Sequence, residues 1–259
     1  MIYETAAVTR DLLDGLNKNN YTRRIKSHFM AYGTEYDFLR FFIIEESGEK
    51  TGVISVFNSS MMISTFEGKT LSDAALDELA GVVSMIMPLQ IELESSCGKK
   101  LFSLVSDEYN CDKRTEFAFV SRNELPDMDV DELPKLDDVF RILAQSFPSI
   151  RDSYELWLTD TSHRVRRGLS QSFLLGDYTT ATIQYIVDGV ALVGHVATVP
   201  EERGKFHARK LLYWIGERLK RDGFEVRLFA RPHRVSYYDE IGFRAVGVDH
   251  VLERKINDE

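Results

Sequence analysis

The sequence contains little cysteine, little proline and no long apolar run. Only two of its 259 residues are cysteine and six are proline. Two thiols, Cys97 and Cys111, make neither a disulfide framework nor a paired CxxC zinc site, so a reduced, cytoplasmic setting is expected. The most apolar stretch, residues 80–91, is interrupted by polar side chains and is shorter than the roughly 20 residues of a membrane span. The N-terminus, MIYETAAVTR, lacks the pattern of a signal peptide, and we expect no membrane partner.

An excess of positive charge is also missing. The chain has 41 acidic and 32 basic side chains, which gives a net charge of −9. An acidic protein does not attract polyphosphate backbones non-specifically, so no nucleic-acid partner is expected, although a local basic patch can still bind a small anion. Metal-ligand spacing, a Walker loop and a Gly-x-Ser-x-Gly elbow do not occur, and no metal site is predicted.

A shift in composition divides the chain near its middle. Residues 121–135 carry five acidic residues and two prolines, which is typical of a linker. The predicted domains are therefore residues 1–122 and residues 133–259.

Hydrophobic periodicity and turn signals predict an α/β protein in which both halves have a similar order of elements. In the first half we predict a helical segment at 8–32, a helix from Ser72, and strands at 37–44, 52–57, 90–94 and 115–120. In the second half we predict helices at 136–147, from Tyr154, at 205–221 and at 236–241, with strands at 171–175, 180–187, 190–199 and 226–230 and a final strand pair from Arg244.

One strand-to-helix connection in the second half has the features of an anion site. The apolar strand 190–199 leads through a short turn into the helix 205–221. Amide groups at a helix start have no partner within the helix, and together with the helix dipole they bind anions. Small residues, Gly204 and Ala208, would let a phosphate approach the backbone. The basic residues that would neutralise its charge are Lys205, Arg209 and Lys210.

This connection resembles the acyl-CoA loop of the GNAT superfamily of acetyltransferases, Arg/Gln-x-x-Gly-x-Gly/Ala after a strand that often ends Val-Ala-Thr-x-Pro-Glu. The chain reads Val196-Ala197-Thr198-Val199-Pro200-Glu201 and then Arg203-Gly204-Lys205-Phe206-His207-Ala208. A second signature of the family, Tyr-x-x-x-Gly-Phe, matches the stretch Tyr238-Asp239-Glu240-Ile241-Gly242-Phe243. The order of elements matches over about 120 residues of the second half.

The resemblance implies a GNAT-like mixed central sheet flanked by helices, with two tandem GNAT-like units as one alternative. It also implies an acyl-CoA-dependent N-acyltransferase that carries acetyl from acetyl-CoA to a primary amine of a small molecule or peptide. The backbone of Val196 and Thr198 would bond the pantetheine arm, residues 204–208 would hold the pyrophosphate, and Tyr238 would be the general acid. The coenzyme-binding residues implied in this way are Val196, Ala197, Thr198, Arg203, Gly204, Lys205, Phe206, His207, Ala208 and Arg209.

Two departures from the family pattern leave alternatives open. Strand 190–199 has no carboxylate, and its only titratable residue, His195, is either the catalytic base or a structural histidine. Phe206 replaces the middle glycine of the loop, and its ring either obstructs the coenzyme or packs sideways and leaves the amides free. The second function hypothesis is therefore a non-catalytic GNAT-like module for ligand sensing or protein interaction.

The remaining features have more than one interpretation. Residues 65–72 of the first half contain no Arg-x-x-Gly-x-Ala loop, so this half is interpreted as a degenerate partner of the second. The basic cluster at 163–167 fits a solvated helix end, attraction of an anionic ligand, or RNA association. Trp157 and Trp214 suit either core packing or the interface of a homodimer. The acidic surface weakly favours a cationic acceptor.

Overall fold

The computed structural model of the protein describes residues 1–255, apart from the side chains of Ser149 and His233. The strands are β1 (Ile2–Glu4), β2 (Leu39–Glu46), β3 (Glu49–Phe57), β4 (Ser60–Thr65), β5 (Gln90–Leu93), β6 (Tyr109–Phe119), β7 (Val130–Asp131), β8 (Gln171–Leu175), β9 (Thr179–Val187), β10 (Val190–Thr198), β11 (Glu225–Ala230) and β12 (Phe243–Arg254). The helices are α1 (Arg10–Asp14), α2 (Asn20–Tyr32), α3 (Asp73–Ile86), α4 (Ser95–Val105), α5 (Leu136–Ser146), α6 (Pro148–Arg151), α7 (Tyr154–Arg166), α8 (His207–Arg221) and α9 (Val235–Ile241).

The chain forms two compact units. The first unit contains residues Met1–Arg114 and the end of the chain from Val248, and the second unit contains Thr115–Gly247. The predicted boundary at 121–135 differs from this division in two ways. The structure divides the chain inside strand β6, before the acidic segment, and it assigns the last part of β12 to the first unit.

The first unit has a mixed sheet in the order β1-β2-β3-β4-β5-β12. Strands β2, β3 and β4 form an antiparallel meander, and β4 runs parallel to β5, with helix α3 between them in sequence. Strand β12 closes this edge antiparallel to β5, from His250 opposite Leu93 to Glu253 opposite Gln90. Apolar side chains of α3 and α4 pack on the sheet in one core and those of α1 and α2 pack in another.

The second unit repeats this plan in the order β6-β11-β10-β9-β8-β7. Strands β8, β9 and β10 are antiparallel, and β10 runs parallel to β11 after the crossover helix α8. Strand β6 closes the edge antiparallel to β11, from Ala118 opposite Arg227 to Thr115 opposite Ala230. Helix α8 buries the apolar stripe that its sequence predicts, Leu211, Leu212, Ile215 and Leu219.

The structure confirms the α/β class and the similar order of elements in the two halves, and it corrects several predicted elements. The helical segment 8–32 is two helices, because Asn19 caps α2 with its side chain and interrupts the run. The final strand pair from Arg244 is one long strand, β12. Helix α4 was not predicted. No described helix combines the length and the apolar character needed to cross a bilayer.

Candidate functional site

A bulge in β10 opens the sheet of the second unit. Gly194 lies opposite Thr182 and Ala197 opposite Thr180, so β10 has one more residue than β9 in this interval. His195 lies at the bulge with a φ of 46°, in the left-handed region. A bulge bends its strand, and the described pairing of β10 with β11 covers only residues 190–193. The backbone of residues 194–198 is thereby directed away from the ladder with β11, which leaves a slot between the two strands.

The loop after β10 presents the first amides of α8. Gly204 has a φ of 81° and Phe206 a φ of 63°, so the chain reverses sharply before the helix begins at His207. The amide of Lys210 donates to the carbonyl of Phe206 at 3.1 Å, so the amides of residues 207–209 precede the helical ladder. No side chain caps this described helix start. Uncapped amides and the helix dipole together favour an anion here.

The slot and the loop meet in a cavity of about 840 Å³. Its walls come from the second half of β10, the loop and first turn of α8, the end of β11, helix α9, and Ser146 and Phe147 at the end of α5. The structure brings together both predicted catalytic residues, His195 and Tyr238, with the predicted coenzyme-binding residues other than Lys205. The predicted residues that line the cavity are His195, Val196, Ala197, Thr198, Arg203, Gly204, Phe206, His207, Ala208, Arg209 and Tyr238.

Tyr238 is fixed by aromatic packing at one wall of the cavity. Its ring centroid lies 5.6 Å from that of Phe117 and 6.2 Å from that of Phe243. Burial raises the pKa of the Tyr238 hydroxyl, and the charge of Arg234 partly opposes this. The hydroxyl has no hydrogen-bond partner among the described residues. A protonated phenol facing the cavity is therefore available to donate a proton to a ligand.

His195 is held at the bulge rather than within a regular ladder. Its Nδ1 lies 3.3 Å from the hydroxyl of Thr182, which also donates to the carbonyl of Gly194 at 3.2 Å. The ring meets that of Phe147 edge-on, with centroids 5.6 Å apart. These contacts orient the imidazole at the cavity wall, and they are compatible with either interpretation of this residue.

Phe206 packs sideways onto a cation. The guanidinium of Arg209 lies 5.4 Å from the centre of the Phe206 ring and 4.8 Å from that of Tyr237. Arg209 is also ion-paired with Glu240. The Phe206 ring remains 60% exposed. This arrangement favours the alternative in which the ring leaves the amides free, while the positive φ of Phe206 is a strained conformation for a side chain with a Cβ.

A carboxylate that sequence reasoning missed lies in the loop. Glu202 forms an ion pair with Lys205 at 2.7 Å, and its other carboxylate oxygen lies 3.1 Å from Nε2 of His207. The hydrogen bond from Lys205 is the main cause of the lowered pKa of Glu202. Lys205 is thus turned toward Glu202, and it is the one predicted coenzyme-binding residue that does not line the cavity. Because Glu202 and Lys205 lie in the loop before α8 and not on one helix, no periodic pattern in the sequence signals this pair.

Arg203 stabilises the loop against two neighbouring segments. Its Nε donates to the carbonyl of Thr198 at 3.1 Å, and its Nη2 donates to the hydroxyl of Ser146 at 3.1 Å. Arg203 therefore holds the end of β10 in place. In this arrangement the carbonyl of Thr198 already accepts a hydrogen bond from the protein.

The equivalent region of the first unit is filled by its own chain. The side chain of Ser72 accepts from the amide of Ala75 and caps α3, and Asp73 places a negative charge in the first turn. At the end of β4, the amide of Asn17 donates to the carbonyl of Thr65 at 3.0 Å, and the Asn17 side chain donates to Glu94 at 3.2 Å. A capped, acidic helix start beside an occupied strand end does not favour an anion.

Neither a family model nor a curated protein matches the sequence. The structure is similar to solved structures of GNAT acetyltransferases. One is a GNAT-family acetyltransferase from Colwellia psychrerythraea, at 11% identity and a TM-score of 0.57, covering 99% of this chain and 100% of that one. Another is a GCN5-related N-acetyltransferase from Sphaerobacter thermophilus, at 16% identity and a TM-score of 0.62, covering 90% and 85%.

A tandem protein is among the similar structures. It is a tandem GNAT protein from the clavulanic acid biosynthesis pathway, at 11% identity and a TM-score of 0.63, and the match covers 100% of this chain and 99% of that one. At these identities the likeness concerns the fold. The chain has the GNAT fold in a tandem arrangement, which confirms at the level of the fold the resemblance seen in the sequence.

Among residues 1–255, no group of three or more His, Cys, Asp or Glu side chains is placed to hold a metal.

Proposed function

We propose that the second unit binds an acyl-CoA and transfers its acyl group to a primary amine, with acetyl-CoA as the donor. The observation that carries the proposal is the cavity in which the β10 bulge, the uncapped amides of α8 and the Tyr238 hydroxyl converge. An open strand edge suits the amide groups of a pantetheine arm, the helix start suits a pyrophosphate, and a protonated phenol suits a departing thiolate.

In the proposed reaction the amine nitrogen attacks the thioester carbonyl carbon. The new C–N bond forms as the C–S bond breaks, and the thiolate takes the proton of Tyr238. The proton released by the amine goes to His195 or to water, since among the described residues the only carboxylate lining the cavity is Glu202 in the loop. Val196 would bond the pantetheine arm through its backbone, and the amides of residues 207–209 would face the pyrophosphate.

The acceptor is proposed to be an amine of a small molecule or a peptide. The net charge of −9 weakly favours a cationic amine. A cytoplasmic location is part of the proposal, because both cysteines are free thiols and suit a reducing compartment.

Thermal melting with and without acetyl-CoA tests the coenzyme site. A ligand at about 100 times its Kd stabilises the folded protein by about 2.7 kcal/mol, which raises Tm by several degrees in a protein of this size. We expect a saturable rise in Tm with acetyl-CoA and none with equal concentrations of acetate. Absence of a rise up to millimolar acetyl-CoA would overturn the proposed function.

Two features of the loop favour a second candidate, a non-catalytic module with a weakened coenzyme site. Phe206 adopts a left-handed backbone conformation, and the Glu202 carboxylate already contacts the side chains of Lys205 and His207. The substitution Phe206→Gly separates the candidates. If the native loop already binds coenzyme well, Kd for acetyl-CoA changes by less than about threefold, whereas a gain of tenfold or more, about 1.4 kcal/mol, supports the weakened site.

A further inference from the structure

The bulge of β10 places a histidine ring against a buried hydroxyl group. Thr182 is only 6% exposed, and it lies in β9 opposite Ser172 of β8 and Gly194 of β10. Pairing on both sides makes this part of β9 rigid, so the position of the hydroxyl is well defined. Its Oγ1 lies 3.2 Å from the carbonyl oxygen of Gly194 and 3.3 Å from Nδ1 of His195. The strand thus holds a hydroxyl group between a carbonyl and an imidazole.

The two contacts of the Thr182 hydroxyl decide which nitrogen of the His195 ring carries the proton. A carbonyl oxygen only accepts hydrogen bonds, and a hydroxyl has one proton to donate. When that proton goes to the carbonyl of Gly194, Nδ1 of His195 must itself carry a proton and donate it to Oγ1. If the hydroxyl donated to Nδ1 instead, the contact with the carbonyl would have no proton. Both contacts are therefore hydrogen bonds in one neutral tautomer only, the ring protonated on Nδ1.

This tautomer leaves the lone pair of the His195 ring on Nε2. Because Nδ1 is held at β9, Nε2 is on the side of the ring away from Thr182, and the ring lines the cavity of about 840 Å³. The edge-on contact with Phe147, with ring centroids 5.6 Å apart, restrains the imidazole from a second direction. A hydrogen bond that holds one ring nitrogen as a donor makes the other nitrogen the acceptor. An acceptor nitrogen at the cavity is what a general base requires.

We propose that Thr182 is a positioning residue, which fixes His195 in the tautomer that takes the proton of the acceptor amine. The inference rests on the proposed function and deepens it. As the amine nitrogen bonds to the thioester carbonyl carbon, the proton lost from that nitrogen is taken up by the lone pair of Nε2, while the departing thiolate takes the proton of Tyr238. The ring becomes an imidazolium with a proton on each nitrogen. Oγ1 of Thr182 accepts from Nδ1 both before and after the transfer, so the hydroxyl does not have to turn during the reaction.

Nuclear magnetic resonance of the full-length protein tests the tautomer without any ligand. Isotope labelling of the ring nitrogens and long-range proton–nitrogen correlation show which nitrogen is protonated in each of the six histidines. The His195→Gln variant identifies the signals of His195. At alkaline pH, where imidazole rings are neutral, we expect the proton of His195 on Nδ1. Thr182→Val, which removes the hydroxyl and keeps the branched shape, should abolish this preference, and Thr182→Ser should keep it.

Steady-state kinetics test the role of Thr182 in the reaction. Acetyl-CoA is the donor, putrescine and lysine amide are the probe amines, and thiol release is the signal. We expect Thr182→Val to lower kcat about tenfold, a part of the roughly 10²–10⁴-fold contribution of a general base, with KM for acetyl-CoA within about twofold of wild type. Thr182→Ser should restore most of kcat.

Thr180→Val is the matched control. Thr180 is a buried threonine of the same strand, and its hydroxyl donates to the carbonyl of Phe173 at 2.8 Å. The substitution therefore removes a buried hydroxyl from β9 without touching the contact with His195. We expect it to leave both kcat and the tautomer of His195 unchanged.

A double-mutant cycle separates positioning from a purely structural role. If Thr182 acts through His195, Thr182→Val should cause no further loss of kcat in the His195→Gln background. An equal loss in both backgrounds would show that Thr182 only supports the strand, and it would overturn the inference.

Other contrary results separate this inference from the proposed function. A wild-type His195 ring with its proton on Nε2, or a His195→Gln variant with the kcat of wild type, would overturn the inference while acetyl transfer itself stands. Release of no thiol by the wild type with either probe amine would overturn the inference together with the proposed function.

Discussion

Tyr238 combines two properties that a proton donor to a thiolate needs. Its ring is fixed by Phe117 and Phe243, its side chain lines the cavity, and its hydroxyl has no hydrogen-bond partner among the described residues. Because burial raises its pKa above the ordinary tyrosine value of about 10, the phenol stays protonated at neutral pH and well into the alkaline range.

Substitution of Tyr238 by Phe removes only the hydroxyl and keeps the ring in its packing. We expect kcat to fall by about 10²-fold or more, the contribution of a general acid, with a small change in Kd for acetyl-CoA. Steady-state assays of thiol release with an accepted amine give kcat, and calorimetry gives Kd. Tyr109→Phe is the matched control, because Tyr109 is also a buried tyrosine with a raised pKa, and it lies in the first unit.

The pH dependence of kcat follows from the raised pKa of Tyr238. A raised pKa means that the proton leaves only at higher pH, so activity should not decline between pH 8 and about 10 through loss of the Tyr238 proton. A decline in wild-type kcat across that range that disappears in Tyr238→Phe would contradict the assignment. An unchanged kcat in Tyr238→Phe would exclude it as the acid.

The α8 connection is the element on which coenzyme binding depends, and its charges are partly satisfied internally. Glu202 pairs with Lys205 and with His207, the two basic side chains nearest the helix start. A pyrophosphate at the amides of α8 would meet a carboxylate a few residues away. Glu202 therefore competes with the ligand for the side chains of Lys205 and His207.

Neutralising this carboxylate should strengthen binding. We expect Glu202→Gln to lower Kd for coenzyme A several-fold, because Lys205 and His207 become available to phosphate oxygens and one repulsive charge is removed. The effect should shrink as ionic strength rises. Glu201→Gln, an exposed neighbour with the same charge change, is the control. Weaker coenzyme binding in Glu202→Gln would show that the ion pairs shape the loop instead.

The position of the α8 connection could be predicted from the sequence, but the residue at which the helix begins could not. The apolar stripe of α8 and the Val-Ala-Thr stretch of β10 have clear periodic patterns, so their positions were predictable. The helix starts at His207 rather than at residue 205, because Gly204 and Phe206 take positive φ angles. A phenylalanine gives no local signal for that conformation. Helix α4 has a short apolar pattern and no side-chain cap at its start, which explains why it was missed.

The two units exchange strands along the chain. The first unit is closed by β12 from the end of the sequence, and the second is closed by β6 from the first half. A boundary predicted from composition cannot reveal this, since the acidic segment at 121–135 is a genuine connection that follows β6. Pairing partners separated by more than 100 residues leave no local pattern in the sequence.

Cutting the chain at the predicted boundary should therefore damage both units. The fragment 1–122 lacks the strand that pairs with β5, and the fragment 133–259 lacks the strand that pairs with β11. We expect neither fragment to melt cooperatively when prepared alone, as judged by circular dichroism. The intact chain is the control. A cooperative transition near the Tm of the full-length protein in either fragment would contradict the exchange.

The exchanged strand β12 also brings a charge into the first unit. Asp249 accepts hydrogen bonds from Arg114 and from Tyr21, and Arg114 is ion-paired with Glu92, which is fully buried. Burial acts to raise the pKa of Glu92, but Arg114 and Arg24 outweigh it and the pKa is lowered. The stabilisation that ionised Glu92 contributes is fully present above the ordinary glutamate pKa. It is lost as the pH falls through the lowered pKa of Glu92 in the folded protein.

Removing the central cation should destabilise the protein strongly. We expect Arg114→Met to lower the free energy of unfolding by about 3–5 kcal/mol at pH 7, because the buried carboxylates of Glu92 and Asp249 lose the cation that they share. Urea denaturation measures this. Arg10→Met, which removes an exposed arginine of the same unit, should change stability by less than about 0.5 kcal/mol. The difference in the free energy of unfolding between the two variants should narrow at acidic pH, where Glu92 takes up a proton, and a constant difference would argue against the ion pairs.

The pairing of β5 with β12 sets an order of events during synthesis. Domains generally fold as they leave the ribosome, the N-terminal one first. Here the first unit cannot complete its sheet until residues His250 to Glu253 have emerged, after the whole of the second unit. The edge of β5 is thus unpaired while the second unit is being synthesised, and an incomplete chain, lacking β12, presents that edge to chaperones and proteases.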